Sequence, residues 1–304
     1  MDNARKRRRA AGPFNRVAEF MPSMTIDEAG NAAAQEVSYV PGSPRIAYVQ
    51  AGTGEPVVFL HGVGGNRHNW DAQIEPFSAT HRVIAWDARG YLDSEDYDGP
   101  CRFEDFSSDL KRLLDHLGID KAHLIGLSMG GRILMDFAAR YPDKIGSLVL
   151  AGSFPSFGKA LTPAQQDEYM RLRRQPLESG RSFRELAPEL VQALLGPAAS
   201  DGDRRALTRS IEQLRAGSYL KTLQATLGFD KSEEIKQITA PVLLIYGEHD
   251  RLVTPALGLQ VHAAIRNSTY VVVPGVGHLI NIEAPRAFND VVLKFIREHP
   301  IHKA

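Results

Sequence analysis

Gly126-Leu127-Ser128-Met129-Gly130-Gly131 is the stretch on which the fold of this chain turns. The stretch before it, Ala122–Leu127, predicts a short strand. The pattern over 129–141 predicts a helix. A serine at that junction, with glycine two positions to either side, sits on a turn that larger residues would block. Such a turn holds the serine backbone in a strained conformation and projects the hydroxyl at the carboxyl end of the sheet. The following helix points its positive N-terminus at the same place.

A serine hydroxyl is a weak nucleophile at neutral pH and needs a base, and the base needs a carboxylate to orient it. Where a serine stands on such a turn, the chain order is serine, then Asp or Glu, then His. Two later segments fit. Gly247-Glu248-His249-Asp250 directly follows an expected strand at 241–246, and Gly275-Val276-Gly277-His278 directly follows one at 269–273. Both groups therefore fall at the carboxyl ends of parallel strands, where such sheets place their sites. Ser128, Asp250 and His278 are the candidate nucleophile, orienting acid and base. Glu248 is a rival acid, Glu283 is expected to begin the last helix, and His249 reads as a solvated neighbour. No carboxylate follows the strand expected at 147–151, because Ala151-Gly152-Ser153-Phe154 comes next. A developing oxyanion needs two preorganised N–H donors. Met129, directly after the serine, is one. Val63, in the loop His61-Gly62-Val63-Gly64-Gly65 after a buried run at 57–60, is the other. Asp87-Ala88-Arg89-Gly90 follows another expected strand, Arg82–Trp86, and reads as a tie for its loop. Trp70 reads as wall or core.

Working outward, further strands are expected at 37–40 and 46–50, with Pro41-Gly42 as the turn between them. Apolar residues at 103, 106, 110, 113, 114 and 117 mark an amphipathic helix that Gly118 ends. A final helix is expected over 285–297. Alternating strands and helices imply a mostly parallel sheet covered on both faces. The rhythm breaks over 153–238, which has no strand-like run. Helical patterns there, at Leu186, Leu190, Val191, Leu194 and Leu195 and at Leu207, Ile211 and Leu214, predict a helical cap. The α/β core then comprises 36–152 and 239–304. The excursion leaves a strand that ends where Ser128 sits, so the cap should cover that site. Most of its cations (Arg171, Arg173, Arg174, Arg181, Arg184 and Arg215) read as solvated, and one turned inward would hold a substrate carboxylate.

Composition excludes several functions. Lys+Arg and Asp+Glu both count 36, so no overall field draws nucleic acid or an anionic membrane. No run approaches the roughly 20 apolar residues that span a bilayer. Arg5, Lys6, Arg7, Arg8 and Arg9 are followed by a mixed stretch containing Gly12, Pro13, Arg16 and Pro22 rather than an apolar core. Residues 1–35 are therefore expected to form a disordered or loosely docked basic arm; nucleic-acid binding or nuclear targeting is the alternative for so short a run. One cysteine, Cys101, allows no intrachain disulfide and fits a reducing, cytoplasmic location. No His or Cys cluster has metal-ligand spacing. No phosphate loop or dinucleotide fingerprint appears.

The segments HGVGGNRHNW (61–70), WDARGYLDSEDYDGP (86–100), GLSMGGRILMDFAARYPDKIGSLVLAG (126–152), PVLLIYGEHDRLVTP (241–255) and GVGHLINIEAPRAFND (275–290) together resemble the α/β-hydrolase superfamily from about residue 44 to 300. GLSMGG and GHLINIEAPRAF are most similar to the 3-oxoadipate enol-lactonases and related small esterases. The resemblance implies a helical cap, no cofactor, and acyl-enzyme chemistry on a small-molecule ester or lactone. Leu92 departs from it, since relatives have glycine there, and the basic arm is no part of the family pattern. Aspartate-nucleophile relatives, the dehalogenases and epoxide hydrolases, do not fit Ser128. Carbon–carbon bond hydrolases of ring-cleavage products share the triad but often carry an aromatic residue where Leu279 follows the histidine. A ligand receptor with a vestigial triad is the alternative outside enzymes.

Overall fold

A computed structural model describes residues 36–301, so the basic arm expected over 1–35 lies outside the described residues. Eight strands form one sheet: β1 (Ser38–Val40), β2 (Ile46–Ala51), β3 (Pro56–Leu60), β4 (Arg82–Trp86), β5 (Ala122–Leu127), β6 (Ile145–Ala151), β7 (Val242–Gly247) and β8 (Ser268–Val273). Their order is β1-β2-β4-β3-β5-β6-β7-β8. β1 pairs with β2, and β2 with β4, in antiparallel fashion; every other pairing is parallel. All six positions of β5 and of β7 are buried, as interior strands with helices on both faces require. β8, at the edge, is mostly half-buried.

Ten α-helices accompany the sheet: α1 (Asp71–Ser78), α2 (Phe103–His116), α3 (Met129–Arg140), α4 (Pro163–Glu178), α5 (Phe183–Leu194), α6 (Asp201–Glu212), α7 (Ala216–Gly228), α8 (Pro255–Ala264), α9 (Ile280–Glu283) and α10 (Pro285–Glu298). The apolar stripe of α2 is buried at Phe103, Phe106, Leu110, Leu113 and Leu114. α3 packs so close to the sheet that a Cβ on Gly130 would overlap the Leu60 carbonyl. One on Gly126 would overlap the backbone of Gly130 and Gly131. The two glycines flanking Ser128 are therefore required by the close approach of strand and helix.

Four helices, α4 to α7, lie between β6 and β7, where two helical patterns were legible. The extra two have physical reasons to hide. α4 buries only Met170 of its 16 residues, so it carries no apolar stripe. α7 turns Ser218, Thr222 and Thr226 inward, and the two threonine hydroxyls donate to carbonyls one turn back, each at 2.9 Å. β6 begins two residues before the expected position, at Ile145. Gly146 sits where the β5–β6 register shifts, and a side chain there would strike Ile301.

Candidate active site

Ser128 occupies the turn between β5 and α3 with φ 53° and ψ −107°, a conformation L-residues avoid. Two hydrogen bonds over-determine it. Its N–H donates to the Ala151 carbonyl at 2.8 Å, and its carbonyl accepts from the Ser153 hydroxyl at 2.9 Å. The end of β6 thus fixes the end of β5.

His278 Nδ1 lies 2.7 Å from Asp250 Oδ2, and both residues are buried. A carboxylate only accepts, so this contact places the ring proton on Nδ1 and leaves a lone pair on Nε2. Asp250 Oδ1 accepts from the Leu252 and Val253 amides at 2.8 and 2.9 Å, so both carboxylate oxygens are held. Gly152, with φ 51°, lies under the pair. A Cβ there would come within 3.2 Å of the imidazole and 3.4 Å of Asp250. Glu248, the rival acid, is half-exposed and accepts from the Gly275 amide at 2.8 Å. It has no contact with His278.

Glu283 does not begin the last helix; it closes the short helix α9. Its carboxylate accepts from Gly196 N at 2.7 Å, Gly277 N at 3.1 Å and Leu279 N at 3.2 Å. It therefore clasps the residues on both sides of His278 and the segment after α5. The His278 amide adds a bond to the Leu194 carbonyl at 3.0 Å. Sequence reasoning missed this role because nothing local marks a carboxylate that collects amides from three separate places.

On the opposite side, Val63 lies in the loop after β3. Among the described residues, neither its amide nor that of Met129 donates a hydrogen bond to the chain. The loop is anchored behind Val63. His61 Nδ1 donates to the Gly62 carbonyl at 2.9 Å, and Nε2 accepts from Ala88 N at 3.0 Å. Arg67 is paired with Asp87 and, at 2.6 Å, with Asp93. Asp87 thus ties the two loops together, while Arg89 grips Asp109 at 2.6 and 2.9 Å. Trp70 is core, stacked on Phe59. Leu92 keeps a left-handed backbone, φ 39°, and its carbonyl accepts from Arg215 Nη2 at 2.6 Å.

Burial pushes the His61 imidazole down to about 4. An unfolded chain takes up that proton near pH 6.5, well before the folded one does, so stability falls as pH drops between those values. The contribution of His61 is about 3 kcal/mol over that range. We expect the loss of urea stability between pH 7 and 4.5 to be smaller in His61→Gln than in the natural protein. An identical loss in both proteins would refute the assignment.

Ser128, His278 and Val63 open onto one cavity of about 370 Å³, at the small end of ligand pockets. Its remaining wall comes largely from α4 to α7, including Tyr169, Leu190 and Leu223, and from Leu214 between α6 and α7. Of the six arginines considered for an inward-facing cation, only Arg173 lines this cavity. Arg171, Arg174, Arg181 and Arg184 pair with Glu168, Glu178, Glu189 and Glu212, and Arg215 bonds the Leu92 and Ser94 carbonyls. Arg132, which the sequence did not single out, also lines the cavity.

A sheet of this order with a serine at its strand–helix turn defines a hydrolase architecture. A family model described as the alpha/beta hydrolase fold matches residues 55–285, and the chain belongs to that family. The 3-oxoadipate enol-lactonase 2 of Acinetobacter baylyi is 29% identical over 239 residues, 78% of this chain and 86% of that protein. The 2-hydroxy-6-oxononadienedioate/2-hydroxy-6-oxononatrienedioate hydrolase of Paraburkholderia xenovorans is 29% identical over 290 residues, 89% of this chain and 97% of that protein. The crystal structure of the enol-lactonase from Burkholderia xenovorans matches with a TM-score of 0.77 at 26% identity, covering 86% of this chain and 100% of that one. No helix among the described residues is long and apolar enough to cross a membrane.

Proposed function

We propose that this protein hydrolyses a carboxylic ester or lactone of a small molecule through an acyl-enzyme formed on Ser128. The observation that carries the reading is the 2.7 Å contact between His278 Nδ1 and Asp250 on the same cavity as the strained Ser128. His278 Nε2 takes the proton of the Ser128 hydroxyl as its oxygen attacks the acyl carbon. Asp250 holds the imidazole in the competent tautomer and stabilises its cation. The Val63 and Met129 amides receive the oxyanion, a role in which one donor is typically worth about 10²–10³ in rate. The intermediate collapses, His278 protonates the departing alcohol, and the acyl-enzyme is then opened by water that gives its proton to His278. Helices α4 to α7 serve as a cap that excludes water from the site. The chemistry needs no cofactor or metal. The single cysteine supports a cytoplasmic setting.

Carbon–carbon bond hydrolysis is the second reading, favoured by the 29% identity to the Paraburkholderia xenovorans hydrolase. Leu279, after the histidine, speaks against it. A panel of a small lactone, p-nitrophenyl esters and a ring-cleavage diketone presented to the purified protein separates the two. We expect turnover of the esters and lactone well above that of the diketone. Diketone cleavage with inert esters would replace the first reading by the second. No turnover in any arm would leave a ligand-binding protein.

A further inference from the structure

Arg132 lies in the first turn of α3, and its amide donates to the Ser128 carbonyl at 3.1 Å. It is 5% exposed and lines the cavity that holds Ser128 and His278. The other two arginines tied into this part of the fold are neutralised: Arg67 by Asp87 and Asp93, Arg89 by Asp109. Arg132 has no acidic partner among the described residues, and its buried Nε meets no acceptor. Burial lowers its affinity for a proton to about 10, which leaves it charged at neutral pH. A buried, unpaired cation is costly, and proteins normally neutralise one or replace it. Retained next to a reactive serine, it is positioned to receive an anion from outside the chain.

We propose that Arg132 anchors a free carboxylate of the substrate, so that the ester or lactone cleaved here carries an acid group remote from the scissile bond. Arg173 supplies a second cation on the same cavity. It stacks over Tyr169 at 3.4 Å and donates only to the Tyr169 carbonyl. A guanidinium meets a carboxylate with two parallel N–H donors, which fixes direction as well as charge. Much of the rest of the lining, Leu190, Leu194, Leu214 and Leu223 among it, is apolar. Such a wall suits the chain of an aliphatic or unsaturated acid and penalises the hydrated dianion of a phosphate ester. The proposal rests on the hydrolase reading for its reaction and on Arg132 alone for its binding.

The test compares p-nitrophenyl hydrogen adipate with p-nitrophenyl hexanoate, esters of equal chain length that differ in the terminal carboxylate. For the natural protein, kcat/KM should favour the anionic ester at least about tenfold, the effect of a modest charge-assisted contact. In Arg132→Met that ratio should fall by about tenfold or more, mainly through KM, and Arg132→Lys should recover part of it. The melting temperature of Arg132→Met should equal or exceed that of the natural protein, because an unpaired buried charge is gone. A structural arginine would behave oppositely. A variant that melts lower or fails to fold, or a ratio that does not move, overturns the proposal. Titration of Ser128→Ala with monomethyl adipate and with methyl hexanoate, read as thermal shift, gives the same comparison without turnover. Should no ester be hydrolysed, the hydrolase reading fails, while loss of the adipate shift in Ser128→Ala/Arg132→Met still supports the carboxylate site and its persistence refutes it.

Discussion

Ser128→Ala should remove ester turnover by roughly 10⁶-fold in kcat while leaving the protein folded, the scale seen when the nucleophile of a triad is deleted. Nothing in the packing depends on the hydroxyl. The N–H of residue 128 still donates to Ala151, and its carbonyl still accepts from Ser153. Alanine has the same Cβ as serine, so it inherits the strain of φ 53° and neither gains nor loses by it. Glycine would not inherit it. Ser128→Gly should be equally inactive and more stable than Ser128→Ala by about 1 kcal/mol, since the left-handed region carries no penalty for glycine. Urea unfolding of the two variants measures the difference. Near-natural ester hydrolysis by either variant would remove Ser128 from the mechanism, and equal stability would remove the strain.

That strain was legible before any coordinates, because G-x-S-x-G between a strand and a helix is a statement about backbone geometry. The sheet was legible for a related reason. β5, β6 and β7 sit in its middle and read as mostly apolar runs, interrupted by His123 in β5 and by Gly146 and Ser147 in β6, a pattern that burial on both faces favours. Where burial is one-sided or partial, legibility ended. α1 buries three residues of eight, Gln73 among them, and gave no periodic signal. α4 buries one residue in sixteen. α7 buries hydroxyl-bearing residues that bond their own helix, which hydropathy patterns count as surface.

The site divides along the same line. Ser128, Asp250 and His278 each follow a readable strand, so topology alone brought them to one end of the sheet. The groups that hold them come from elsewhere. Glu283 reaches back to Gly196 across 87 positions of sequence, and Arg215 in the helical segment bonds the Leu92 and Ser94 carbonyls. Such contacts belong to tertiary structure and leave no mark on local composition. Arg132 is the opposite case. It sits inside the most conspicuous motif of the chain, yet an arginine on a helix ordinarily reads as solvated surface, and only its burial without a partner distinguishes it.

Asp250→Asn should lower kcat by about 10⁴-fold, whereas Glu248→Gln should change it by less than about tenfold. The first figure follows from which atoms Asp250 already engages. Oδ1 is committed to the Leu252 and Val253 amides and must remain an acceptor. An asparagine at 250 therefore keeps its oxygen on that side and turns its NH₂ toward His278. A donor at that point demands a lone pair on Nδ1, so the ring proton moves to Nε2, the nitrogen that must receive the serine proton. The imidazole is then in the wrong tautomer, and the cation that forms during attack also lacks its counter-charge. Geometry is retained and chemistry is lost, so the melting temperature of Asp250→Asn should stay close to that of the natural protein. Glu248 accepts from the Gly275 amide, lies 3.9 Å from His249 Nε2 and faces solvent, so its amide analogue keeps the Gly275 contact and leaves His278 untouched. Steady-state rates on one p-nitrophenyl ester decide between them. Full activity in Asp250→Asn beside a crippled Glu248→Gln would transfer the proposed orienting role to Glu248, despite the 2.7 Å contact between Asp250 and His278.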